Sequence, residues 1–447
     1  MTTYWAAAAH LPAGCAERVR LTVQGGTFTE VETGAAPQPG DQRLAGVVLP
    51  GLANAHSHAF HRALRGRTSA DGGTFWTWRQ QMYAVAARLD PDRHLALARA
   101  VYAEMALAGI TVVGEFHYLH HGPGGVPYAD PNAMAAALVQ GASDAGVRLT
   151  LLDTCYLSGG LDGDGHRPLD PVQRRFSDAG VDAWAARVAL LRETGGSRIG
   201  VAAHSVRAVP EADLGRFAQH LGDRPVHVHL SEQPAENAAA AAFYGCSPTE
   251  LLDRNGLLGP RTTAVHATHL SEADVARLGR SATTACFCPT TERDLADGIG
   301  PARRLRDAGS PLALGSDSHA VIDPFEELRG LELHERLQSH ARGRFRPGGL
   351  LAASSAAGYA SVGWAGGGVL AAGAPADFVA VRTDTVRTTG CRPDQIVYAA
   401  TAADVDRVVV GGRTVVADGE HRLGPIAPLL SAALVPLIPE PAEGGPS

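Results

Sequence analysis

Short apolar runs that end in polar residues recur along the chain. Gly46-Val-Val-Leu-Pro50 leads into His56 and His58, Ile110-Thr-Val-Val-Gly114 into Glu115, His117 and Tyr118, and Val147-Arg-Leu-Thr-Leu-Leu152 into Asp153. Ile199-Gly-Val-Ala-Ala203 leads into His204 and Arg207, Pro225-Val-His-Val228 into His229 and Glu232, and Thr263-Ala-Val265 into His266 and His269. Thr283-Thr-Ala-Cys-Phe-Cys288 leads into Pro289, Thr290 and Thr291, and Pro311-Leu-Ala-Leu-Gly315 into Asp317 and His319. Helical stretches such as Asp92 to Ala108 and Ala133 to Ala145 separate most of these runs. Strands that alternate with helices imply a parallel sheet, and eight of them predict an α/β fold, a closed (β/α)₈ TIM-like barrel. The polar residues then fall at the C-terminal strand ends, where barrel enzymes keep their reactive groups.

The two ends of the chain carry a different pattern. Residues before about 50 are rich in Gly, Thr and Val with no helical period. Pro375 to Arg382 and Val405 to Ala417 alternate as strands, the second turning at Gly411-Gly412 as a hairpin. The division expected is 1–50 and 365–438 as two parts of one small β-sandwich, 51–364 as the barrel, and 439–447 as a loose tail. A helix expected over Asp323 to Ser339 is available for a subunit interface.

Composition narrows the function. Of 447 residues, 45% are hydrophobic and 19% charged, enough apolar material for a large core. The net charge is -7, and no basic stripe points to nucleic acid. No apolar run is long enough to span a membrane, and the N-terminal segment has no basic leader. The six cysteines are scattered, so no disulfide framework is expected and a cytoplasmic setting fits. All 39 basic residues other than histidine are arginine. With no lysine there is no Walker-type phosphate lysine, no lysine Schiff base and no carbamylated lysine bridging two metals.

The stretch Asn54-Ala-His-Ser-His-Ala-Phe-His61 concentrates histidine at one strand end. A spacing of two on a strand turns His56 and His58 to one face. Catalytic zinc takes about three or four N/O ligands and keeps one position open. His229, His266 and Asp317, at later strand ends, are candidates to complete such a set. His227 shares the face of His229 but lies deeper, where packing is expected. His269 is expected to hydrogen-bond outside the ligand set, and Cys286 and Cys288 to be buried small hydrophobes.

Pro50-Gly-Leu-Ala-Asn-Ala-His-Ser-His58, His229-Leu-Ser-Glu232, His266 and Gly315-Ser-Asp317 resemble the amidohydrolase superfamily, in particular its one-metal deaminase branch. The resemblance implies His56, His58, His229 and Asp317 as ligands of one zinc ion; such a donor set also accepts iron. Bound zinc makes hydroxide available near neutral pH for attack on an electrophilic carbon. Asp317 can take the water's proton, Glu232 can shuttle protons to the leaving nitrogen, and His266 can polarise the electrophile.

Arginine forks match carboxylates, so Arg79, in a first long loop, and Arg207 suggest an anionic substrate. His56-Ser-His-Ala-Phe-His-Arg62, Phe75-Trp-Thr-Trp-Arg79, Gly114-Glu-Phe-His-Tyr118, His204-Ser-Val-Arg207 and Cys288-Pro-Thr-Thr-Glu-Arg-Asp-Leu-Ala-Asp-Gly-Ile299 are together similar to the formimidoylglutamate deiminase family, from about residue 46 to about 420. That family hydrolyses N-formimino-L-glutamate to N-formyl-L-glutamate and ammonia in histidine degradation, as a homodimer. The resemblance assigns one substrate carboxylate to Arg79, Tyr118 and Arg207, and the other to His204 and His61. The family usually has Gln where His61 stands. The rival expectations are a deiminase of N-formimino-L-aspartate, a deaminase of purine, pterin or guanidino compounds, and a catalytically dead scaffold.

Overall fold

The computed structural model describes residues 1–68 and 75–438. Among the described residues eighteen strands run in chain order: β1 Thr2–Leu11, β2 Gly14–Gln24, β3 Thr27–Glu32, β4 Gln42–Pro50, β5 Leu52–Ser57, β6 Ile110–His117, β7 Arg148–Cys155, β8 Gly160–Asp162, β9 Gly165–Arg167, β10 Ser197–Ala203, β11 Val226–Leu230, β12 Thr262–His266, β13 Thr284–Phe287, β14 Leu312–Leu314, β15 Phe378–Val381, β16 Val405–Val410, β17 Arg413–Ala417 and β18 Glu420–His421. The sheet β5-β6-β7-β10-β11-β12-β13-β14 is parallel throughout and forms the barrel. Helices α1 Phe75–Ala86, α2 Pro91–Leu107, α3 Ala133–Ala145, α4 Val181–Val188, α5 Glu211–Ala218 and α6 Pro234–Tyr244 precede or cover its first strands, and a helix over Pro324–Ser339 follows β14.

The barrel closes sparingly. Between β5 and β14 there is a single bridge, Ser57 to Asp317, built from Asp317 N donating to His56 O at 3.0 Å and His58 N to Asp317 O at 3.3 Å. The strands approach so tightly that a Cβ on Gly315 would sit 2.8 Å from both the Cβ and the carbonyl oxygen of His56. Only glycine fits there.

The first barrel strand is not the one the apolar pattern selects. Val47-Val-Leu49 belongs to β4, which pairs with β1 and β15 in the sheet of the chain ends. The barrel strand is β5, Leu-Ala-Asn-Ala-His-Ser, whose small and polar residues disguise it. The break falls at Gly51, whose N–H donates to Asp377 O at 2.9 Å.

The terminal strands make one antiparallel-rich sheet, β18-β17-β16-β15-β4-β1-β2-β3. Laid flat, β3 and β15 would be roughly 19 Å apart at about 4.8 Å per strand. Instead Phe28 N donates to Ala374 O at 2.9 Å, and the rings of Phe28 and Phe378 are 6.3 Å apart. The sheet therefore curls into a sandwich over its own core of Tyr4, Leu21, Phe28, Leu44, Phe378 and Val409. Asp377, fully buried, fastens it to the barrel: it takes Arg148 bidentately at 2.7 and 3.1 Å and accepts from Tyr359 Oη at 2.9 Å. Residues Ile426–Leu434 are helical and pack on α2 rather than joining the sheet. The expected tail, 439–447, lies outside the described residues.

Candidate active site

β5 delivers His56 and, one step past its end, His58; β11 delivers His229; the loop after β14 delivers Asp317. His56 Nε2 and His58 Nε2 lie 3.2 and 3.3 Å from the same oxygen, Asp317 Oδ1. His229 Nε2 lies 3.1 Å from His56 Nε2. His58 Nδ1 donates to Phe116 O at 2.9 Å and His229 Nδ1 to His204 O at 3.0 Å. Those bonds place the ring protons on Nδ1 and leave the Nε2 lone pairs facing the cluster, the arrangement of histidines that bind a metal. Burial holds His56 down to about 3 and lowers His58 and His229 as well, so the imidazoles are neutral. Convergent neutral nitrogens and one carboxylate fit a divalent cation.

His266, at the end of β12, joins the same group: its Nε2 is 3.8 Å from Asp317 Oδ2 and 3.7 Å from Glu232 Oε1. Burial opposes charge on His266, but Glu232, Glu292 and Asp317 outweigh it and raise the imidazole to about 10. A cation and that proton draw on the same carboxylates. Ser231, His266, Ala267, Asp317 and His319 all have φ between 40° and 68°, so the strand ends around the cluster are strained.

A cavity of about 460 Å³ opens from this cluster. Its wall contains all the residues assigned to substrate: His61, Arg79, Tyr118, His204 and Arg207. They are not equally available. His61 Nε2 and Tyr118 Oη are hydrogen-bonded to each other at 2.8 Å. His204 Nδ1 is 3.1 Å from Ser205 Oγ. Arg207 NH2 donates to Glu232 Oε2 at 3.0 Å, and its Nε is 3.2 Å from Glu236 Oε2. The guanidinium is thus already held by two glutamates. Arg79 sits over the ring of Tyr83 at 5.5 Å. It lies on α1, not in a loop: Trp78, Met82, Val85 and Ala86 are buried at helical spacing, which stacks Arg79 toward the cavity.

Several lining residues escaped the sequence reading. Asp153, the polar residue chosen for the third strand, turns away from the cavity, and Tyr156 lines it instead. Glu236 was also missed; the acid pair Glu232 and Glu236, four apart just beyond a ligand strand, was the available signal. His227 is a packed residue, bonded to Ser361 O at 3.0 Å, and His269 Nε2 donates to Asp297 O at 2.8 Å. Cys286 and Cys288 are buried among apolar side chains.

Residues 47–415 match the amidohydrolase family, and residues 1–45 match the family described as formimidoylglutamate deiminase HutF, N-terminal domain. The chain is 38% identical to the formimidoylglutamate deiminase of Pseudomonas aeruginosa over 94% of this chain and 96% of that one. It is 31% identical to an 8-oxoguanine deaminase of the same organism, over 89% of this chain and 90% of the relative. Among solved structures, an amidohydrolase from Brucella melitensis superposes with a TM-score of 0.91 at 35% identity, covering 98% of this chain and all of the other. An adenosine deaminase from Xanthomonas campestris with bound zinc gives 0.82 at 25% identity, covering 97% and 96%.

Proposed function

Since the chain belongs to the amidohydrolase family, and within it to the formimidoylglutamate deiminases, we propose that it hydrolyses N-formimino-L-glutamate to N-formyl-L-glutamate and ammonia in histidine degradation. The observation that carries this reading is one cavity joining a metal-competent His/Asp cluster to two arginines, Arg79 and Arg207. His56, His58, His229 and Asp317 would hold one zinc ion, or iron. A bound zinc supplies a water of pKa lowered toward about 7 and a positive charge beside the electrophile.

The remaining work falls to side chains. Asp317 keeps one oxygen among the ligand nitrogens and offers Oδ2 to the water's proton. Glu232, 3.7 Å from His266, carries a proton to the departing nitrogen, which leaves as ammonia. Its bond with Arg207 orients the carboxylate. His266 polarises the electrophile by donating to the heteroatom on which charge develops as the carbon is attacked. Arg79, Tyr118 and Arg207 bind one carboxylate, and His204 and His61 the other. Arg207 must share its donors between Glu232, Glu236 and the substrate, so substrate binding and proton transfer are coupled through it. The protein works as a cytoplasmic homodimer on this reading, and its free cysteines fit a reducing compartment.

The test is product analysis on zinc-loaded protein. Ammonia and N-formylglutamate in equal amounts support the deiminase. Formamide and glutamate would mean that the other C–N bond breaks and that Glu232 protonates the wrong atom in this account. Turnover of N-formimino-L-aspartate alone would transfer the reading to the shorter substrate, with His61, which replaces the family's Gln, as the cause.

A further inference from the structure

The sparse seam between β5 and β14 raises the question of what holds the ligands on either side of it in register. Five buried side chains run along it. Asn54 Nδ2 donates to Ser316 Oγ at 2.6 Å, and Ser316 N returns a bond to Asn54 Oδ1 at 2.9 Å. Ser316 Oγ is 3.1 Å from His319 Nδ1, and His319 Nε2 is 3.1 Å from Ser57 Oγ. Ser57 Oγ donates to Glu115 Oε2 at 2.7 Å, and Ala59 N to Glu115 Oε1 at 2.7 Å.

The chain has a direction. An ionised carboxylate only accepts, so the Ser57 hydroxyl gives its proton to Glu115 and must accept from His319 Nε2. His319 is then the Nε2–H tautomer, and its Nδ1 accepts from the Ser316 hydroxyl, whose oxygen accepts from Asn54. One orientation satisfies every member, which is when a buried polar network rigidifies its surroundings. Burial raises the Glu115 carboxyl to about 7, so the ionised form prevails above that pH.

Three of the members flank ligands. Ser57 stands between His56 and His58, and Ser316 and His319 bracket Asp317. Asp317 and His319 have φ of 40° and 57°, a conformation that persists only where the surroundings impose it. We propose that Glu115 is a positioning residue for the metal centre, acting through Ser57 and His319 to fix His56, His58 and Asp317 relative to one another across the seam. This rests on the metal-centre reading above.

The experiment measures zinc affinity of the purified full chain by competition with a chromophoric chelator, at a pH about one unit above the Glu115 value. Glu115→Gln keeps the shape but turns an acceptor into a donor, and Ser57→Ala cuts the relay. Both weaken zinc binding by roughly 10- to 100-fold, the usual cost of losing support behind a ligand. Thr150→Val serves as the control. It removes an equally buried hydroxyl on β7, two strands from the seam, which bonds Val362 O at 2.6 Å and accepts from Trp364 Nε1 at 3.0 Å, and it leaves zinc affinity unchanged. Wild-type affinity in Glu115→Gln or Ser57→Ala overturns the proposal, as does an equal loss in Thr150→Val. Failure of the wild type to bind zinc would instead sink the metal reading. If Glu115→Gln does not fold, Ser57→Ala decides by the same number.

Discussion

The barrel holds two buried clusters of histidine and aspartate with no shared member. One is His56, His229, His266 and Asp317; the other is His117, His120 and Asp153, and in each the candidate ligand atoms lie within 4.8 Å of one another. Their hydrogen bonds separate them. In the second cluster Arg187 grips both oxygens of Asp153 at 2.7 and 2.8 Å, and Trp184 Nε1 adds a third bond at 3.0 Å. Arg187 also bonds both oxygens of Asp178, at 2.9 and 2.8 Å, and His120 Nε2 donates to Thr154 O. The carboxylate is spent, and a guanidinium already supplies the positive charge. In the first cluster the ion-pair partners of Asp317 are imidazoles, and His58 and His229 turn their Nδ1 protons outward to backbone carbonyls. What fits the first cluster, and not the second, to a cation is therefore lone pairs left over, not histidines and acids gathered together.

Removing one aspartate from each cluster sharpens the contrast most. If Asp317 has the proposed roles, Asp317→Asn should lower kcat/KM by roughly a thousandfold or more, the scale of a lost general base at a weakened metal site. Ammonia-release rates measure it, and near-normal turnover would break the contrast. Asp153→Asn should leave metal content intact while lowering unfolding stability by about 3 kcal/mol, because Arg187 is left under-compensated in the interior. Elemental analysis and denaturant melts read the two effects separately; metal loss in this variant would make the clusters equivalent.

Stripping the metal comes next. At zinc a hundredfold above its Kd, binding adds about 2.7 kcal/mol to stability. Chelation should remove the same increment from wild type and from Asp153→Asn, since distant sites add. Unequal increments in thermal melts would show the clusters to be coupled. The smallest effect is on acid stability. Burial pushes the Asp178 carboxyl up, but His121 and Arg187 outweigh it and hold it well below the usual carboxylate range. A depressed folded value gives stability that is present above the unfolded value of about 3.9 and lost as pH falls below it. Asp178→Asn should flatten the stability profile between about pH 5 and 3 relative to wild type; an unchanged slope would assign acid sensitivity elsewhere.

The legible parts of the sequence were those where one side chain answers to one local rule. Short apolar runs disclosed seven barrel strands, and Gly411-Gly412 disclosed its hairpin. The eighth, β5, was hidden because the seam demands small residues: Ala53, Ala55 and the facing Gly315 leave no room for a β-branched signature. Asp153 was misplaced because strand alternation, which sends neighbours to opposite faces, cannot be phased without knowing where the strand enters the sheet. The Arg207–Glu236 contact was invisible for another reason. It joins the end of β10 to the first turn of α6, and only the folded barrel brings them together. The pairing of β4 with β15 was likewise beyond any local pattern, though the β character of both ends was not.

That last pairing has a consequence for biosynthesis. Pro50 pairs with Phe378, so one edge of β4 finds its partner only after most of the chain has been made. During translation β1 to β4 can pair among themselves, but β4 waits with unmet backbone donors and acceptors, and β5, leaving it at Gly51, waits too. An open, apolar strand edge is a hazard for aggregation in a slowly completed α/β chain. Yield of the recombinant protein should therefore depend on chaperone supply and growth temperature more than on the stability of the finished molecule.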